Sequence, residues 1–225
     1  MSDPHYTRDH VGLVITSISS LGSIPYAKIK GLGVDLLYLN PADPQVTTAK
    51  IKEARGAGFV VGLIVFVDTR AESGADAAKR ANDYRIRLAS GDAGVTPFLI
   101  DAEPSNGSVQ FWLDFIAAYR AVMPGRVTDF TPEPFKAAVL PVNYLLNARF
   151  DVKVQGYFGD MSPVDGWEAG LDWLSVGFPP ERIRLFVDGG RKNKPPIFYN
   201  DSRARNLLPG SIIWNANLLR EAGLI

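Results

Sequence analysis

Two carboxylates two residues apart, Asp101 and Glu103, stand between the apolar run Phe98-Leu99-Ile100 and Pro104. Such a run reads as a buried strand, and alternation along a strand sets residues i and i+2 on one face. Two acids on one face of a partly buried site cannot both ionise freely. One is pushed toward the range of a general acid, and the two titrate as a coupled pair. The plainer alternative is that Asp101 caps the following helix or pairs with a base while Glu103 is solvated. Other strand ends add candidates: Gln155 and Tyr157 on one face of a strand, Asp188 at the end of the next, Trp214 and Asn215 at the end of the last. A Trp offers an apolar floor to a sugar ring and a Tyr hydroxyl a donor to developing charge; core packing is the competing role for both. Tyr38 and Asn40, ending the second strand, and Asp68, after the third, are weaker candidates.

Other chemistries are excluded by composition. The chain has no cysteine, which removes disulfides, thiolate nucleophiles and thiolate metal sites. Its two histidines, His5 and His10, precede the first strand, so neither a Ser-His-Asp triad nor a multi-His metal centre fits inside the fold. Carboxylate, Tyr and Lys are left for acid–base work, with no metal and no cofactor expected. Lys and Arg number 24, equal to Asp and Glu at 24, and no run of either sign gives a footprint for nucleic acid. The longest apolar stretch, Phe59 to Val67, is far short of the ~20 residues that span a bilayer, so no membrane partner is expected. The first ten residues carry charge and no apolar segment like a signal peptide. Synthesis in a cytoplasm is the expectation, with incorporation into a virion or release by lysis left open.

The elements that position these residues follow from periodicity. Strands are predicted over Val11–Ile18, Val34–Asn40, Phe59–Val67, Pro97–Ala102, Val127–Phe130, Val152–Phe158, Arg182–Val187 and Ser211–Asn215. Helices are predicted between them over Pro25–Lys30, Gln45–Arg55, Ala75–Leu88, Val109–Met123, Phe135–Ala148, Trp167–Val176 and Ser202–Leu208. Strands alternating with helices imply parallel pairing through right-handed crossovers. At 225 residues the expected fold class is α/β, a single (β/α)8 TIM-type barrel over residues 1–225 with residues 1–10 as a flexible N-terminal segment. An open doubly wound sheet is the alternative, but no G-x-G-x-x-G follows the first strand. In a barrel Asp101, Glu103, Tyr157 and Trp214 are expected around one mouth at the strand C-termini.

Several short motifs carry a family resemblance. Gly33-Val34-Asp35, Ala54-Arg55-Gly56-Ala57-Gly58 and the Asp-x-Glu of the fourth strand resemble the first half of the family 25 lysozymes. Gln155-Gly156-Tyr157, Gly177-Phe178-Pro179-Pro180-Glu181-Arg182-Ile183 and a Trp on the last strand resemble the family 18 chitinases and endo-N-acetylglucosaminidases. The resemblance implies a glycoside hydrolase-like barrel for N-acetylated glycans of bacterial cell wall or chitin type. It makes Glu103 the general acid, with Asp101 and Tyr157 orienting a substrate N-acetyl group that acts as the nucleophile. The strand-end candidates Trp214, Gln155, Asp188, Asn215 and Tyr38 are expected to bind the substrate. A second reading is a non-catalytic glycan-binding or structural barrel, part of a phage tail or similar assembly. Val11 to Ile18 lacks the acid that family 25 enzymes carry on strand one, and loop aromatics are scarce. A third reading, a phosphosugar enzyme, rests on Gly189-Gly190-Arg191-Lys192-Asn193-Lys194 after the seventh strand, where glycines and bases suit an anion.

Overall fold

The computed structural model describes residues 12–89, 98–102, 108–122, 128–131, 150–155, 173–187, 212–221 and 223–225. The strands are β1 (Gly12–Ile15), β2 (Leu36–Leu39), β3 (Val60–Val67), β4 (Phe98–Ala102), β5 (Thr128–Thr131), β6 (Phe150–Gln155), β7 (Ile183–Val187) and β8 (Ile212–Asn215). Helices among the described residues are α1 (Ile18–Leu21), α2 (Tyr26–Gly31), α3 (Thr48–Gly56), α4 (Gly74–Ala89), α5 (Val109–Val122) and α6 (Ala216–Glu221). All strand pairs are parallel and follow chain order, and β8 pairs with β1 to close a barrel. The helices predicted over 135–148 and 202–208 lie outside the described residues. Of that over 167–176, only the helical turn at 173–175 falls within them.

The stagger of the barrel can be followed residue by residue. One circuit runs from Gly12 through Leu36 to Val60, from Leu63 through Phe98 and Thr128 to Phe150, from Val152 to Ile183, from Leu185 to Ile212, and from Ile213 back to Gly12. It requires advances of three, two, two and one residues, eight in all. An eight-stranded barrel with that shear stacks its inward positions in layers drawn from alternate strands.

Burial identifies which face is inward. Val14, Leu36, Tyr38 and Ile64 form a small cluster of their own. Leu13, Leu37, Leu63, Val65 and Ile100 instead join the helix residues Ile29, Ile51, Ala77 and Phe115 in the large outer core. Carrying this parity around the ladder gives the inward layers from the bottom upward. The lowest full layer is Gly12, Gly62, Asp129 and Arg184; then come Tyr38, Leu99, Lys153 and Ile213, then Val14, Ile64, Thr131 and Phe186. The β1–β3 side is apolar, as barrel interiors usually are. The β5–β7 side places charged residues at inward positions.

The outer layer on the β3–β4 side is set by α4 and α5. Helix α4 presents Gly74, Ala77, Ala78 and Ala81, all buried, and α5 answers with Phe111, Trp112, Phe115 and Tyr119. Small residues on one helix let large rings on the other fill the groove, so the two axes approach closely. Phe111 and Trp112 meet edge to face at 4.8 Å, and Trp112 and Phe115 at 5.8 Å. Between α3 and β3, Gly58 at φ 84° donates to the Arg55 carbonyl, the left-handed turn expected of a glycine after a helix.

Two of the departures from the sequence expectation involve β1 and the last helix. The first strand stops at Ile15 because the Ser17 hydroxyl accepts from the Ser20 N–H and caps α1. The Asp43 carboxylate also accepts from the Ile18 N–H at 2.6 Å and from the Gln45 N–H at 2.8 Å. Asp43 is the buried charged residue among those described, 7% exposed, and it ties α1 to the β2–α3 loop. Asp43→Ala leaves a buried N–H at Ile18 without its acceptor. Its expected cost is about 3 kcal/mol, the scale for losing charge-assisted bonds to buried donors. Urea unfolding measures it; a variant within 0.5 kcal/mol of wild type, roughly the scatter of surface changes, contradicts this role. Helix α6, packed against β1, has no counterpart among the predicted elements.

Candidate functional site

The layer above the three already described consists of Asn40, Asp101, Gln155 and Asn215, from the ends of β2, β4, β6 and β8. Every position in it is polar, and it lies at the C-terminal end of the strands, where barrels place their active sites. Asp101 pairs with Phe66 on one side and Thr131 on the other, both at inward positions. Gln155 pairs with Phe186, and Asn215 with Val14. Three of the eight residues proposed from sequence therefore share one layer: Asp101, Gln155 and Asn215. Glu103, Tyr157 and Asp188 lie outside the described residues.

Two residues are placed differently from the expectation. Trp214 pairs with Leu13 and Val187, which puts it on the opposite face of the sheet from Asn215 and Asp101. Leu13 belongs to the outer core against the helices, so the parity of β8 excludes Trp214 from the layer at the mouth. Tyr38 is fully buried with Val14, Leu36 and Ile64, two layers beneath the mouth, and works as interior packing rather than a ligand contact.

The rim on the β1–β2 side is fastened by hydrogen bonds. Asn40 donates through Nδ2 to the Thr16 carbonyl at 2.9 Å and accepts through Oδ1 from the Ala42 N–H at 3.0 Å. Its own N–H donates to the Ile15 carbonyl at 3.2 Å. Asn40 thus spends its amide on holding two strand ends together. Asp68, just past β3, is exposed and accepts from the Arg70 N–H at 2.9 Å, a local turn of the kind Asp forms readily.

Sequence reasoning missed Phe66. It is inward by parity, sits beside Asp101 in the ladder, and is 37% exposed at the mouth. The signal was available: Phe66 stands near the end of a strand predicted from sequence, on the same face as Ile64 two residues before it. The backbone beneath it is held from outside. Arg80 of α4 donates through Nη2 to the Phe66 carbonyl at 2.7 Å and through Nε to Glu72 at 3.0 Å. Burial works to lower the Arg80 pKa, but the Glu72 hydrogen bond and charge outweigh it, so the guanidinium is held more firmly protonated than usual. Among the described residues no group of three or more His, Cys, Asp or Glu is gathered to hold a metal ion, and no helix is long and apolar enough to cross a membrane.

By sequence, no family description matches the chain and no curated protein is similar to it. Solved structures are similar in fold. Active domain 2 of a thermostable chitinase from Pyrococcus furiosus, complexed with chito-oligosaccharides, aligns at TM-score 0.62 and 12% identity over 93% of this chain and 83% of that one. A GH18 chitinase from Cycas revoluta, in complex with (GlcNAc)4, aligns at TM-score 0.58 and 14% identity over 84% and 74%. Orotidine 5'-monophosphate decarboxylase from Methanocaldococcus jannaschii aligns at 0.55 and 12% over 97% and 96%. Enzymes of different chemistry share this likeness, so it establishes the architecture: the chain has the α/β fold of barrel enzymes, glycoside hydrolases among them.

Proposed function

We propose that this chain is a complete (β/α)8 barrel that acts on N-acetylated glycans of chitin or bacterial cell-wall type as a glycoside hydrolase. Glu103 is the general acid; Asp101 and Tyr157 orient the substrate's N-acetyl group. The observation that carries the reading is the polar layer of Asn40, Asp101, Gln155 and Asn215 at the strand C-termini. Glu103 follows Asp101 by two residues in the sequence. Three polar positions around one level, with Asn40 fastening the rim and an aromatic beside the acid in the ladder, suit a ligand rich in hydroxyl and amide groups. The likeness to chitinases bound to chito-oligosaccharides supports the substrate class.

The chemistry needs little else. A protonated Glu103 gives its proton to the leaving oxygen as the glycosidic bond breaks. The N-acetyl oxygen attacks the anomeric carbon, and Asp101 as a carboxylate stabilises the positive charge that develops on the acetamido group. Water then opens the cyclic intermediate, returning a proton to Glu103. The test is release of reducing ends from chito-oligosaccharides and from peptidoglycan by the wild-type chain, with binding measured on the same ligands. Turnover supports the proposal. Binding without turnover replaces it with a glycan-binding module, and neither one replaces it with a structural barrel.

Phe66 enters this reading as the apolar platform for a sugar ring, with its exposed face at the mouth beside Asp101. Phe66→Ala is expected to weaken oligosaccharide affinity about tenfold, since a stacked aromatic contributes about 1 kcal/mol beyond the area it buries. Calorimetric titration reads it, and unchanged affinity removes Phe66 from the site.

A further inference from the structure

Strand β3 rises above its neighbour on one side. Its pairing with β2 ends where Leu39 meets Leu63, whereas its pairing with β4 continues to Val67 with Ala102. Residues Ile64 to Val67 are therefore held by a ladder on the β4 side alone, and Phe66 stands on that end. A segment with fewer ladder bonds opens more readily than one paired on both sides. Arg80 of α4 supplies a bond there, donating through Nη2 to the Phe66 carbonyl at 2.7 Å. Two parallel bonds to one carboxylate orient the guanidinium in turn, Nε to one oxygen of Glu72 and Nη2 to the other. Such a fork sets both distance and plane.

The geometry points to Arg80 as the positioning residue of the Phe66 platform, with Glu72 orienting Arg80; this rests on the reading of Phe66 as the surface on which a sugar ring stacks. The carbonyl of Phe66 belongs to the rigid peptide plane that follows it, so pinning that oxygen sets ψ of Phe66 and with it the direction in which the side chain leaves. A ring fixed in advance is one the ligand need not order on binding. Both ends of the arm are anchored. Helix α4 is seated on α5 through Gly74, Ala77, Ala78 and Ala81, so the root of the Arg80 side chain stays in place. Glu72 belongs to the turn between β3 and α4, where the Asp68 carbonyl accepts from the N–H groups of Ala71 at 3.1 Å and Glu72 at 3.3 Å. Ser73 then caps α4, its hydroxyl accepting from the Asp76 N–H at 3.1 Å. The Glu72 side chain is 17% exposed and that of Arg80 34%, so water and salt loosen this pair less than a surface ion pair. The guanidinium also passes over the Tyr84 ring at 5.9 Å, one turn along α4.

The test places a fluorine-labelled phenylalanine at residue 66 of the full chain and follows its NMR signal in the Arg80→Met, Arg80→Lys and Glu72→Gln backgrounds. Arg80→Met is expected to shift the ring signal of the free protein. Arg80→Lys keeps the charge and a donor but loses the fork, and Glu72→Gln loses the charge of the carboxylate, so both should shift it the same way by less. Affinity for chito-oligosaccharides should fall about fivefold in Arg80→Met, the equivalent of one hydrogen bond. In a Phe66→Ala background Arg80→Met should then cost nothing more, because its effect passes through the ring. If glycans are cleaved, KM rises in Arg80→Met while kcat holds, as when binding common to ground and transition states is lost. An Arg80 that serves stability alone would lower the unfolding midpoint and leave the ring signal where it was. An unchanged signal in the folded variants, or affinity losses that add in the double variant, overturns the inference. Should Arg80→Met not fold, Arg80→Lys and Glu72→Gln decide by the same signal. If no glycan binds yet the ring follows Arg80, the glycan reading of Phe66 falls and the positioning by Arg80 stands.

Discussion

Replacing Glu103 by Gln is expected to lower turnover of an N-acetylated oligosaccharide by about 10² to 10⁴, the usual cost of losing a general acid. Affinity should stay within about tenfold, because the amide keeps the shape of the acid and part of its hydrogen bonding. The contrast between the two effects carries the information. A residue that only binds substrate loses affinity and turnover together, whereas one that protonates the leaving oxygen loses turnover alone. Asp101→Asn should lose less, since in the proposed mechanism Asp101 stabilises charge rather than delivering the proton. Neither change should reduce thermal stability, because a carboxylate at a barrel mouth packs little, and removing one of two neighbouring acids relieves repulsion. A Glu103→Gln protein that turns over substrate at the wild-type rate ends the case for Glu103.

Gly74→Ala is expected to destabilise the fold by about 3 kcal/mol, at the upper end of the usual cost of overpacking. Two effects of opposite sign compete. Alanine is the better helix former by about 1 kcal/mol and would stabilise α4 in isolation. Against that, a Cβ at residue 74 would lie 2.1 Å from the Phe111 carbonyl oxygen and 2.7 Å from the Phe115 nitrogen. Both are backbone atoms of α5 and cannot rotate away. The helices must therefore separate, and the seams at Ala77, Ala78 and Ala81 open with them. Steric cost wins, and the midpoint of thermal unfolding should fall by on the order of 10 °C. A variant as stable as wild type would mean that α4 and α5 do not pack at this distance.

Much of the architecture was readable before any coordinates. Strand β3 and helices α4 and α5 fall within a residue or two of their predicted bounds, because each is long and its periodicity unbroken. Asp101 was readable as a strand-end position for the same reason: a buried strand has a definite end. The second half was harder. Strand β6 was expected over Val152–Phe158 and runs over Phe150–Gln155, with Asp151 as its first inward register position. Strand signals assume apolar residues at inward positions, and β5–β7 have Asp129, Asp151, Lys153 and Arg184 at those register positions instead. Trp214 shows a different limit. Its place in β8 was expected, but its face depends on the β8–β1 register, which no local pattern specifies. Ile18 illustrates the same limit at close range: its entry into a helix depends on Asp43, a residue far along the chain.

Seven of the eight strand pairings join neighbours in chain order; the eighth is the seam of Gly12 with Ile213, Leu13 with Trp214 and Val14 with Asn215. Those pairings turn a curved ribbon into a surface without margins. Were they lost, β1 and β8 would each present a row of free N–H and C=O groups, the template on which chains add to one another. Damage at this seam therefore shows itself first as self-association at rising concentration, before any change in the residues that meet a ligand.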